Sequence, residues 1–190
     1  MLIRMLPDEK KVLLVELARL ITLSDNQLIW NGKSKDELTS DSDLNSLTIQ
    51  KNSLETELLE QMEQSFSGGF FGDVLDGLYG HSTEHQLIEK LKTYPLSQID
   101  APETRIQAAT SVLKLLLNNQ KVDNPATAKI IIFQLFLVAL RDGHISSIEW
   151  NLLKEIQLHF KIPDFIFKDL LDRAEALNIE MSKILALVLE

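Results

Sequence analysis

An all-α bundle of about seven to nine helices is the fold this chain predicts. Three observations lead there: apolar residues recur at helical spacing along most of the sequence, proline and small polar residues stand where helices would start, and no second strand-like run accompanies the one β-branched stretch at 130–132. With 190 residues, the chain is long enough to bury a core without covalent staples, and it is read as one domain over 1–190. It has no cysteine, which excludes disulfides, thiolate nucleophiles and zinc-thiolate sites and is compatible with a reducing cytosol.

The first helix is expected from Pro7 to Leu23. Pro7 suits a first turn, Asp8 and Glu9 favour the positive end of the helix dipole, and Leu13, Leu17, Leu20 and Ile21 form one apolar face. Ser24 to Gln27 breaks it, with Asn26 expected in the left-handed conformation of a helix end. From 31 to 51 the polar composition reads as a loop or weakly ordered insertion. Within it, Asp41 to Asn45 resembles the opening of a calcium loop, but Ser46 replaces the turn glycine and Asn52 the bidentate Glu, so a solvated loop is the better reading.

Helix resumes from Leu54 to Phe66, with Asn52 or Ser53 as its cap. Five of the seven glycines then fall between Gly68 and Gly80, among Phe70, Phe71, Val74, Leu75, Leu78 and Tyr79. This spacing fits neither nucleotide-binding glycine signature. Two readings remain: an irregular stretch tucked against the core, and a lid or partner-binding patch. A short helix follows from Ser82 to Thr93, and Asp100-Ala-Pro-Glu103 is expected to cap the next one, whose stripe runs through Ile106, Ala109, Leu113, Leu116 and Leu117.

Ala128 to Arg141 is apolar nearly all round, which predicts a central helix. At thirteen apolar-rich positions up to Leu140 it is too short for the roughly 20 residues of a membrane span. Ser147 to Phe160 carries the next helix, Pro163 opens another, and Asn178 is expected to start a separate terminal one. Setting Asp25 over Asp142 without gaps aligns Leu13 to Val15 with Ile130 to Ile132, and Leu20, Ile21 and Leu23 with Leu137, Val138 and Leu140. The chain therefore reads as a pseudo-duplication of one helical unit, with 31–80 inserted between the copies.

Between the central helix and its successor, Gly143 is placed to end one helix in a left-handed residue, and Ser146 with Glu149 is the capping-box pattern that starts another. Asp142 to Glu149 also matches the last eight positions of an EF-hand loop. The first and third ligands would then be Val138 and Leu140, which carry no side-chain oxygen, and this argues against a standard calcium site. His81 and His85 are four apart, a spacing that two metal ligands on one helix face can have, without a His-Glu-x-x-His order; no Gly-x-Ser-x-Gly elbow is present.

The stretch Ala139-Leu-Arg-Asp142-Gly143-His-Ile145-Ser-Ser-Ile-Glu149, followed by Leu152, Ile156 and Ile162-Pro163, resembles the tellurite-resistance TerB-like domains over about 127–177. The first unit, 7–29, is similar at Glu9 and Asp25, but Asn26 stands in place of glycine and Gly32 in place of Glu149. The resemblance implies a helical bundle without established catalytic activity, linked to tellurite and chemical stress, with an acidic ion-binding surface and a scaffolding role toward protein partners. It marks Asp25, Asp142 and Glu149 as the positions to test for a divalent cation, the one cofactor implied. The same three residues are also explained as helix-end and capping groups.

Charge narrows the partners: 28 acidic against 19 basic residues give a net charge of -9, unsuited to a nucleic-acid backbone. No signal peptide or transmembrane segment is visible, and a cytoplasmic location is expected. The function expected is a non-enzymatic interaction scaffold or ion-responsive factor; the alternative is a small-ligand carrier or hydrolase-type enzyme with its pocket near residues 68–85.

Overall fold

The computed structural model describes residues 2–64, 82–121 and 124–189. Seven α-helices run through them: α1 (Asp8–Ser24), α2 (Ser53–Gln64), α3 (Thr83–Leu91), α4 (Pro102–Leu117), α5 (Pro125–Ala139), α6 (Ser147–His159) and α7 (Asp164–Leu189). The all-α bundle is thus realised, at the lower end of the expected helix number.

Two helices share the centre. α5 buries Ile131, Ile132, Leu135 and Phe136 completely, as its all-round apolar sequence requires. α1 was expected to bury one face, yet every residue from Val12 to Ala18 is buried, and it packs on α2, α3, α4, α5 and α6. The reason lies in Val12, Leu14, Val15 and Ala18, which fill the sides that the Leu13-Leu17-Leu20 stripe leaves open. Burying each of Val12, Leu14 and Val15 contributes roughly 1.5–3 kcal/mol, and Ala18 less.

The insertion is more ordered than its polar composition predicts. Leu28–Trp30 (β1) and Leu47–Ile49 (β2) pair antiparallel, with Leu28 opposite Ile49 and Trp30 opposite Leu47. All four of these side chains are buried, while Thr48 points to solvent, so the hairpin is held by one apolar face. The tight reversal after β1 is made by Asn31 (φ 48) and Gly32 (φ 78), with Trp30 and Lys33 exchanging backbone bonds of 2.8 and 3.0 Å. Asp43, in the stretch resembling a calcium loop, accepts the Asn45 N–H at 2.9 Å and so closes a local turn.

Three helix ends depart from expectation. Asn26 does not adopt positive φ; α1 ends at Asp25 with φ −115. α4 is preceded by Ala101 rather than Asp100 as its cap, with no side-chain hydrogen bond, and Asp100 instead pairs with Lys35 at 3.3 Å. Asn178 starts no new helix: α7 is continuous over 26 residues, and the Asn178 side chain donates to the Leu140 carbonyl at 3.0 Å. The mid-helix Asn therefore satisfies the end of α5 in place of a cap of its own.

α6 and α7 are fixed by Gln157, buried at their turn, which donates to the Ile162 carbonyl at 2.9 Å and to Asp164 at 2.8 Å. Phe167 locks the first half of α7 onto α5 and α6, with its ring 4.9 Å from Phe136 and 5.8 Å from Trp150. Beyond Ala174 the large apolar side chains of α7 are exposed.

Candidate functional site

The α5–α6 junction is built from its own residues. Gly143 takes φ 97 and donates its N–H to the Leu140 carbonyl at 3.0 Å, turning the chain out of α5. Ser146 Oγ accepts the Glu149 N–H at 3.2 Å, and Glu149 Oε2 accepts the Ser146 N–H at 2.8 Å, completing the capping box. Asp142 stays at the surface, where it accepts the His144 N–H at 3.3 Å and approaches the His144 ring at 3.5 Å.

Capping carries Glu149 inward, to 7% exposure. Burial pushes its carboxyl up from 4.5 to about 8; the bonds with Ser146 oppose this, and the negative charges of Asp25 and Asp142 add to it. The group therefore holds a proton near neutral pH. The three acids that the sequence marks lie at one end of the bundle, close enough for Glu149 to respond to both aspartates. They do not form a ready chelate: among the described residues, no three His, Asp or Glu side chains converge as a metal site would need.

The other side of this acidic end is made by a residue the sequence did not single out. Arg105, from the first turn of α4, is buried and donates to the carbonyls of Ser24 (2.9 Å), Leu23 (3.3 Å) and Asn26 (2.8 Å). It thereby closes the C-terminal end of α1, whose carbonyls have no intrahelical partner. Burial lowers the affinity of its guanidinium for the proton, and Asp100 and Asp25 oppose that shift. Asp25 thus attracts Arg105 and repels Glu149, which couples the end of α1 to the starts of α4 and α6. The available signal was its phase: Arg105 falls in line with Ala108, Ala109, Val112 and Leu116 on the buried face of α4.

Glu16, also unmarked, is almost completely buried in α1 and accepts hydrogen bonds from Thr83 and Arg19; Arg19 reaches on to Glu63 at 2.5 Å. This network ties α1 to α2 and α3. Beside it lies a cleft of about 190 Å³ whose lining includes Arg19, Thr22, Lys51 and Glu84, with Lys51 and Glu84 paired at 2.7 Å. Of the pocket expected near 68–85, the stretch from Gly68 to His81 lies outside the described residues. Ser82 caps α3 by accepting the His85 N–H at 3.2 Å, Thr83 is used in packing, and His85 is exposed.

A larger open groove of about 800 Å³ runs between α2, α5 and α7. Leu58 and Met62 form one wall, Phe133 and Leu137 the floor, and Met181 and Leu185 the opposite wall. α5 ends in the junction, and Asn178 of α7 binds the Leu140 carbonyl, so the groove and the acidic end share a helix and a hydrogen bond. No helix among the described residues is long and apolar enough to cross a membrane. Comparison of the chain with protein-family models, with curated protein sequences and with solved structures gives no match.

Proposed function

We propose that the protein is a non-enzymatic, TerB-like interaction scaffold that holds a polypeptide in the groove between α2, α5 and α7. The observation that carries this reading is the groove itself: an apolar channel of about 800 Å³ left open beside a helix whose large side chains face solvent. Concave, mainly apolar grooves are where proteins hold ligands and partner segments. The motif from Ala139 to Glu149 adds the family setting, a role in tellurite and chemical stress. The ion-responsive part of this reading belongs to the acidic end, where Asp25 and Asp142 act on the charge of Glu149.

The test is recovery of bound proteins, after crosslinking in tellurite-stressed cells, by the wild type and by Leu185→Glu. Leu185 lines the groove and is exposed, so its substitution leaves the core intact. The reading predicts a discrete set of bound proteins lost in Leu185→Glu with unchanged helicity. The same set captured by both chains would contradict it.

A further inference from the structure

From Ile130 to Leu140 the chain has a single polar residue, Gln134, set among the isoleucines, leucines and phenylalanines of α5. It is 4% exposed, and it lines the groove between α2, α5 and α7. Among the described residues its side chain has no hydrogen-bond partner. The other uncharged polar side chains of the groove are engaged: Gln61 donates to Glu57 at 3.2 Å, Asn178 to the Leu140 carbonyl and Ser182 to the Asn178 carbonyl at 2.9 Å. A primary amide carries two donors and a carbonyl acceptor, and burying it among apolar groups is costly unless these are met. Leucine would fill the same space without that cost.

Arg141 stands two turns farther along the same face. Gln134, Leu137, Val138 and Arg141 fall at i, i+3, i+4 and i+7, and all four line the groove. The two polar ends of this row are about 10.5 Å apart along the helix axis. Arg141 is exposed and has no ion pair among the described residues. The floor that α5 supplies is therefore an apolar centre with an amide at one end and a cation at the other.

We infer that the groove takes an amphipathic α-helix carrying asparagine or glutamine against Gln134 and, seven positions away, aspartate or glutamate against Arg141. The inference rests on the reading of the groove as a polypeptide site and states the chemistry of its occupant. Helices form the walls, and no strand edge runs along them among the described residues, so an entering segment must satisfy its own backbone, as a helix does. Its arrival displaces water from the Gln134 amide, and a side chain that both donates and accepts restores the bonds lost. An apolar residue at that place leaves the amide buried without a partner, so a ligand shifted by one turn is disfavoured. At the other end Arg141 attracts an acid and repels a base, which sets the direction of the ligand helix.

The probe is a displayed library of helices of about 18 residues, with leucine fixed at i+3 and i+4 of one face and every residue type allowed at i and i+7. It is selected separately on full-length wild type, Gln134→Leu, Arg141→Glu and Leu185→Glu. Wild type is expected to enrich asparagine or glutamine at one varied position and aspartate or glutamate at the other. Gln134→Leu should turn the first preference apolar and leave the second, and Arg141→Glu should turn the second to lysine or arginine and leave the first. In fluorescence anisotropy the peptide selected by wild type should bind Gln134→Leu about tenfold more weakly. That variant is nevertheless expected to unfold at a temperature no lower than wild type, because leucine replaces an unpaired amide.

The same residues enriched by wild type and by both α5 variants overturn the inference, and so does enrichment that survives Leu185→Glu, which puts the helix elsewhere. If enrichment depends on Leu185 but not on Gln134 or Arg141, the chemistry of the occupant fails and the groove reading stands. If no helix is enriched while Leu185→Glu still loses the proteins captured in cells, the helical occupant fails and the scaffold reading stands. If no helix is enriched and the captured set is the same for both chains, both fail.

Discussion

The two helix ends at the acidic pole solve the same problem by different means. At the end of α5, Gly143 turns the chain and Ser146 with Glu149 caps the next helix, so the turn and the cap are made within ten residues of Leu140, and only the Asn178 amide on the Leu140 carbonyl comes from farther away. At the end of α1 the chain passes into β1 without a positive-φ residue, and the free carbonyls are met by Arg105, about eighty positions away in sequence. A helix end closed locally depends on backbone conformation and a cap. One closed from a distance depends on a buried charge, and the fold must be complete before that charge has a partner.

This contrast predicts unequal costs. Arg105→Ala leaves three carbonyls without a donor and is expected to destabilise the protein by about 3–5 kcal/mol in denaturant unfolding. Arg105→Lys should recover only part of that, because one ammonium does not reproduce the fork of the guanidinium.

The next effect belongs to Glu149. Its carboxyl is raised from 4.5 when exposed to about 8 when folded, so between these values the native state holds a proton that the unfolded state has released. Its contribution to stability is fully present below about 4.5, is lost as pH rises, and levels off above about 8, a total loss of at most about 5 kcal/mol. Glu149→Gln keeps an acceptor for the Ser146 N–H and should remove this dependence. The check is the difference between the two unfolding free energies across that range.

At the local end of the comparison the costs are smaller. Gly143→Ala meets no neighbouring atom within 4 Å, so the only penalty is the left-handed backbone, about 1–2 kcal/mol. Ser146→Ala removes one capping bond and should cost about 1 kcal/mol. Thermal unfolding of these two variants beside Arg105→Ala sharpens the contrast; equal losses at both ends would break it.

The same contrast explains what could be read in the chain. The α5–α6 junction was legible because Gly143, Ser146 and Glu149 act on their own neighbours. Arg105 and Glu16 were not, because a charged residue on an apolar face announces burial without naming the partner, and Leu23, Ser24, Asn26 and Thr83 come from elsewhere. Asn178 misled for a related reason: asparagine favours helix starts, but here its side chain is bound to Leu140 of another helix. The hairpin escaped notice because its strands have three residues each and draw their order from Leu28, Trp30, Leu47 and Ile49 packing on the core. Of the three marked acids, the capping role of Glu149 followed from spacing, whereas its proximity to Asp25 required the packing of α1 beside α6.

That proximity is the point on which the account turns, and a side-chain NMR titration of Glu149 in the wild type and in Asp25→Asn tests it. The account predicts that Glu149 titrates near 8 and that removing the Asp25 charge moves it downward. A Glu149 carboxyl that titrates in the ordinary carboxylate range, or one indifferent to Asp25→Asn, would contradict it.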